Sequence, residues 1–138
     1  MKTLRSHVGG SWYEAKTGFA QLLDPCTEEP IAQATSEGLD FGAALCFARE
    51  QGGPALRSLT FEERGDLLLA MSKALHAVRE ELIELSLLAC GTTRKDSKFD
   101  LDGATSVLAF YGYLGKELGA KRILADGEGV QLGRSARF

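Results

Sequence analysis

Residues 35–118 constrain the fold more than any other part of the chain. Apolar side chains recur there at helical spacing, and the interruptions carry helix-boundary chemistry. The clearest boundary is Thr60-Phe61-Glu62-Glu63, a capping box. The threonine hydroxyl accepts from an orphan backbone N–H, and the glutamate three residues on reaches back to the threonine N–H. Behind it Phe61, Leu68, Met71, Leu75, Val78 and Leu82 fall on one side, with Asp66, Lys73 and Glu80 on the other. The pattern allows a bend near Val78-Arg79 that opens a further helix ending at Gly91, or one continuous helix. No capping residue decides between them.

An earlier helix is expected after Ser36, a good N-cap, with Leu39, Ala43, Ala44 and Phe47 as its apolar face. Gly52-Gly53-Pro54 should stop it, through a left-handed glycine cap and a proline that cannot continue. The last helix is expected over residues 98–118, burying Leu101, Ala104, Leu108, Tyr111 and Leu118. Gly103, Gly112 and Gly115 lie inside it, each costing about 1 kcal/mol relative to alanine. Close approach of a neighbouring backbone explains such glycines better than a ligand-lining role.

The first third reads as short strands. Ser6-His7-Val8 and Ser11-Trp12-Tyr13 flank Gly9-Gly10, a two-residue turn suited to a tight hairpin. Residues 19–23 and 31–34 form a second pair around Asp24-Pro25-Cys26-Thr27-Glu28-Glu29, where proline fixes φ and Asp24 can accept from the turn backbone. A small antiparallel sheet follows. At the other end Val130, Leu132, Arg134, Ala136 and Phe138 alternate with Gln131, Gly133, Ser135 and Arg137, the period of a strand. With no partner strand after it, such a strand should seek another chain or further sequence. The expected fold class is α+β: small N-terminal antiparallel hairpins, about four amphipathic helices and a C-terminal strand.

At 138 residues the chain fits one domain. A net charge of -3 and a pI near 5.4 argue against a nucleic-acid partner. The densest basic cluster, Arg94, Lys95 and Lys98, is offset by Asp96, Asp100 and Asp102 and reads as a solvated connection. No apolar run approaches the roughly 20 residues of a membrane span, and no secretory signal opens the chain, so no membrane partner is expected. Three widely spaced cysteines suit a reducing cytoplasm. No Cys-x-x-Cys or histidine-rich pattern supports a metal site.

No obvious catalytic group emerges. Cys90 closes an apolar helix face and Cys46 lies within another, so both read as buried structural thiols. Cys26 sits in a turn without a base nearby. His7 and His76, the two histidines, read as surface or core positions. Glu80-Glu81 and Asp100/Asp102 do not share helix faces, so they do not make an acid–base pair. No Gly-x-Gly-x-x-Gly follows a strand. The residues alone describe a binding or structural module.

The order of motifs resembles the N-terminal region of the aldehyde dehydrogenase superfamily. It comprises Gly10-Ser11-Trp12, the Asp24-Pro25 turn, Ser36-Glu37-Gly38-Leu39-Asp40 and Thr60 to Arg64. Cys90-Gly91-Thr92-Thr93-Arg94-Lys95 departs from the family's usual Thr-Gly-Lys segment. A narrower resemblance, carried by Thr35 to Asp40, Gly53-Pro54-Ala55-Leu56-Arg57, Leu59-Thr60-Phe61 and Gly91 to Ser97, is to the ring-cleavage dehydrogenases of phenylacetate and benzoate breakdown. Those enzymes oxidise CoA-thioester semialdehydes, usually with NADP.

The resemblance implies a parent enzyme of α/β type with a Rossmann-like domain, binding NADP or NAD. Its cysteine nucleophile, oxyanion asparagine and base glutamate would lie C-terminal to the matched region. None of Cys26, Cys46 or Cys90 corresponds to that nucleophile. The chain is then expected to be an N-terminal fragment without the catalytic domain, binding no cofactor alone: residues 1–35 hairpins, 36–118 helices, 119–138 the start of an oligomerisation arm. Its partners would be the rest of the parent chain and further copies in a homo-oligomer. The resemblance also puts Gly103 and Val107 near the mouth of the substrate tunnel. The other reading is a free-standing helical interaction or oligomerisation module without catalysis.

Overall fold

The computed structural model describes residues 1–124. The strand expected over residues 130–138 lies outside them. The chain divides into two compact units. One joins Met1–Gly53 to Arg79–Leu101; the other joins Pro54–Val78 to the described residues from Asp102 on.

In the first unit β2 (Ser6–Val8) and β3 (Ser11–Tyr13) form the expected hairpin, pairing His7 with Trp12. Gly9 and Gly10 have φ of 59° and 80°, the double positive φ that a type I′ turn requires. β4 (Ala20–Leu23) and β5 (Pro30–Ala34) pair antiparallel, as expected. Asp24 Oδ1 accepts from the backbone N–H groups of Cys26 (2.7 Å) and Thr27 (3.2 Å), fixing their turn.

The sheet is not purely antiparallel. β1 (Lys2–Thr3) joins β5 in parallel, giving the order β1-β5-β4. Two residues are too few for an alternating pattern to show. Tertiary bonds hold them instead: Gln33 Nε2 donates to Thr3 Oγ1 at 2.8 Å, and the Leu4 N–H to the Gln33 carbonyl at 2.9 Å.

Two expectations about the first helix are corrected. α1 (Phe41–Phe47) is capped by Asp40, whose Oδ1 accepts from the Ala43 N–H at 2.8 Å, and not by Ser36. Residues 36–39 form a turn, with Gly38 at φ 78° and the Tyr13 hydroxyl donating to the Glu37 carbonyl at 3.0 Å. Nor do Gly52-Gly53-Pro54 end the helical path. A π-helical turn (Ala48–Gly52) follows α1 and leads into α2 (Gly53–Ser58). Gly53 is right-handed (φ -61°, ψ -52°). Pro54 occupies the first turn of α2, where no N–H is needed.

α4 (Arg79–Cys90) buries Ile83 completely. It ends at left-handed Gly91 (φ 62°), as expected. α5 (Arg94–Leu118) starts four residues before the predicted 98. Thr93 Oγ1 accepts from the Asp96 N–H (3.2 Å) and donates to the Asp96 carboxylate (2.6 Å). The basic cluster therefore sits on the first turns of α5 and not in a connection. Below it Ser86, Thr92 and Ser97 bond through their hydroxyls, with Thr92 and Ser97 only 2.6 Å apart, which satisfies buried Ser97.

In the second unit α3 (Phe61–Ala77) opens on the expected capping box and breaks at Val78 (φ -109°, ψ 24°), which decides for the bend. Its first N–H groups find carbonyl partners as well: Phe61 donates to Lys121 (2.7 Å) and Glu62 to Gly119 (3.0 Å). α5 crosses α3 at a glycine seam. A Cβ on Gly65 would come within 2.5 Å of the Gly112 carbonyl oxygen, and one on Gly115 within 2.9 Å of the Gly65 Cα. Thr105, Gly112 and Gly115 form the buried stripe of α5 here. Ala104, Tyr111, Met71 and Val78, expected on inner faces, are exposed. The seam is only as wide as hydrogen-sized side chains permit, so neighbours one position round the helix stay outside.

Candidate functional site

The side chains with reactive chemistry are dispersed or engaged. Cys26, Cys46 and Cys90 are all exposed, which corrects the buried placement expected for Cys46 and Cys90. Cys46 faces away from the first unit's interior; Cys90 is the last residue of α4, where the helix end opens to solvent. His7 is exposed and packs edge-to-face on Trp12, ring centroids 5.1 Å apart. His76 is exposed on α3, beside a groove shared with Ser72, Lys73 and Ser106.

Two of the three carboxylates of α4, Glu80 and Glu84, are bound in ion pairs. Arg94 Nη2 holds Glu80 at 2.8 Å, its Nη1 holds Glu84, and Arg79 holds Glu80 at 2.7 Å. The Glu84 hydrogen bond and charge, then those of Glu80, push the Arg94 guanidinium further up from its ordinary value. No cluster of three or more potential metal-ligating side chains occurs among the described residues. No helix among them is long and apolar enough to cross a membrane.

The N-termini of α1, α3 and α5 do not fit the phosphates of a nicotinamide cofactor. α1 is filled by the Asp40 carboxylate, α3 by Thr60 with Glu63, and α5 by Thr93 with Asp96. Each start carries an acidic group of its own, which repels a phosphate. Glu63 is held below the ordinary carboxylate range, first by the Thr60 N–H and then by the Thr60 hydroxyl, so it stays charged.

What the second unit does offer is an exposed apolar stripe. Gly103, Val107 and Phe110 recur on α5 at intervals of four and three, so they share one side of the helix. Val107 lies two positions beyond buried Thr105, about 200° around the axis from the seam. Val107 is 55% and Phe110 48% exposed, and a Cβ on Gly103 would meet nothing within 4 Å. Gly103 is thus not a close-packing glycine; that explanation holds for Gly112 and Gly115. Phe110 was missed from sequence, although its three-residue spacing from Val107 was available. The stripe carries no acid, base or nucleophile.

Known proteins supply the context. The aldehyde dehydrogenase family profile matches residues 12–134. Over 135 residues, 98% of this chain, the sequence is 42% identical to a 3,4-dehydroadipyl-CoA semialdehyde dehydrogenase of Aromatoleum evansii, covering 26% of that protein. It is 30% identical over 84% of the chain to a betaine aldehyde dehydrogenase of Bacillus subtilis (strain 168), covering 24% of it. A succinate-semialdehyde dehydrogenase of Escherichia coli (strain K12), with NADP(+) in its name, is 24% identical over 80% of the chain. The chain spans about a quarter of the length of these curated relatives. With the profile covering most of its residues, the chain belongs to the aldehyde dehydrogenase family.

Proposed function

We propose that this chain is the N-terminal, helix-bearing part of an NAD(P)-dependent dehydrogenase that oxidises a CoA-thioester semialdehyde to its acid in aromatic-compound degradation. The observation that carries the reading is the 42% identity, over nearly the whole chain, to a relative named for a dehydroadipyl-CoA semialdehyde. The two other relatives are named for aldehydes without CoA and are less similar.

In this reading residues 1–35 and 36–118 are the scaffold, and residues 119–138 begin an arm that pairs copies of a cytoplasmic homo-oligomer. Further polypeptide supplies the nucleophile, the base and the nicotinamide site, so the chain alone is inactive. An open reading frame continuing beyond the Phe138 codon into such a domain is required. A stop codon there with no complementing polypeptide refutes the proposal.

Gly103 and Val107 border the substrate tunnel in this proposal. The open space over Gly103 leaves room for a bulky thioester. In the complete enzyme Gly103→Met should raise KM for the CoA substrate about tenfold, equivalent to about 1.4 kcal/mol of binding. An unchanged KM removes the tunnel role. The same preparation, assayed with NAD and with NADP, identifies the preferred cofactor.

A further inference from the structure

We propose that Cys26 and Cys90 form an oxidation-sensitive thiol pair, closing to a disulfide that ties the β4–β5 turn to the end of α4. The inference is independent of the catalytic reading above. Both cysteines belong to the first unit, and both are exposed. The chain brings them to one place from distant positions. A Cβ on Gly91 would lie 3.2 Å from Cys26 Sγ and 2.9 Å from Pro25 Cγ, so the Cys26 sulfur rests against the residue bonded to Cys90. Gly91 permits this approach because it has no side chain, and its φ of 62° suits glycine.

The direction of Cys90 supports the pairing. It lies seven residues after Ile83, two helical turns on, and so on the same side of α4, with its own place at the helix end exposed. As the terminal residue of that helix it has freedom to adjust. Cys26 is held by the Asp24 carboxylate, which accepts from its N–H at 2.7 Å, so the turn presents its sulfur from a fixed base. Closure needs Cα atoms about 4.4–6.8 Å apart, so the proposal requires the end of α4 and both side chains to reach that span. Cys46 lies in α1, and no contact relates it to Gly91.

Hydrogen peroxide is the oxidant. One thiolate attacks a peroxide oxygen, the O–O bond breaks, and a sulfenic acid forms as water leaves. The second thiol then attacks that sulfur; the S–S bond forms, the S–O bond breaks, and the oxygen departs as a second water. Two thiols and one peroxide become one disulfide and two waters.

The test treats the folded 138-residue chain with dilute hydrogen peroxide, blocks remaining thiols with N-ethylmaleimide, and maps peptides by non-reducing mass spectrometry. The expected product is an intrachain Cys26–Cys90 peptide lighter by two hydrogens, with Cys46 alkylated. Cys46→Ser should leave its yield unchanged, while Cys26→Ser and Cys90→Ser should each abolish it. In urea the preference should vanish and all three pairings appear. The proposal is overturned if Cys26 and Cys90 oxidise separately, if they cross-link only between chains, or if the folded chain pairs its cysteines no more selectively than the unfolded one.

Discussion

Replacing Gly115 by alanine tests the glycine seam most directly, because the same helix carries its own control. A Cβ at Gly115 would sit 2.5 Å from the Phe61 carbonyl oxygen and 2.9 Å from the Gly65 Cα, whereas ordinary contact begins at 3.4 Å. Both obstacles are main-chain atoms and cannot rotate away. α3 and α5 must separate, which also loosens the approach of Gly65 to Gly112. Overpacking of this kind costs about 1–3 kcal/mol, and rigid neighbours put it toward the upper end.

Against that stands helix propensity, which favours alanine by about 1 kcal/mol. Gly103→Ala gains the same propensity on the same helix and meets open space. Comparing the two variants therefore cancels propensity and leaves the steric term. Gly103→Ala should stabilise by about 1 kcal/mol, Gly115→Ala should destabilise by about 1–2 kcal/mol, and the gap between them should be about 2–3 kcal/mol. Equilibrium unfolding in urea reads this as midpoints separated on the order of 1 M. If Gly115→Ala proves as stable as Gly103→Ala, the seam is not close-packed and the argument fails.

The capping box, the Gly91 turn and the open apolar faces give further predictions. Thr60→Ala removes the hydroxyl that accepts from the Glu63 N–H at 3.2 Å and should cost about 1 kcal/mol by urea unfolding. Glu63 has its folded pKa lowered by Thr60, so its stabilisation is present above the ordinary carboxylate range and is lost as pH falls through the lowered value. Glu63→Gln should flatten that part of the acid-side stability profile; an unaltered profile would show the box to be irrelevant. Gly91→Ala forces a Cβ at φ 62° to within 2.9 Å of Pro25 Cγ and should destabilise by about 1–3 kcal/mol, with no loss contradicting the turn geometry. With Phe41 66% and Phe99 79% exposed, the isolated chain should self-associate with rising concentration, and a monomer throughout in sedimentation would count against this.

Local chemistry was the legible part of the fold. The Gly9-Gly10 hairpin and the Thr60 box each write a backbone requirement into two to four adjacent residues, and both stand where the residues put them. What failed depends on distant partners. Ser36 and Asp40 are equally good caps on propensity, and the Tyr13 hydroxyl on the Glu37 carbonyl helps hold the preceding turn. Pro54 reads as a stop until the π-helical turn before it shows that a new helix begins there. The candidate site was half legible: Gly103 stood out as a costly glycine, but only the geometry separates it from Gly112 and Gly115. Three glycines with one propensity cost have two different physical explanations.

Those two explanations meet in one helix. Among the described residues, Ala32 and Ile83 are the buried apolar side chains, while helix leucines such as Leu68, Leu69 and Leu114 are half-buried, so much of what orients the helices falls to directional contacts. Position is set by directional, short-range terms: the capping box, the carbonyls of Gly119 and Lys121 on the start of α3, Ser72 donating to the Thr105 carbonyl at 2.9 Å, and Lys116 on Asp66 at 2.9 Å. The Asp66 hydrogen bond and charge raise the Lys116 ammonium above its ordinary value. A seam made of glycine and small polar contacts fixes α5 from one side. It leaves Gly103, Val107 and Phe110 free on the other. Overpacking at Gly115 therefore reaches beyond stability. Because Gly115 and Gly103 belong to one rigid helix, pushing α5 away from α3 displaces the open face as well. A glycine that touches no ligand then governs where the glycine over open space is held.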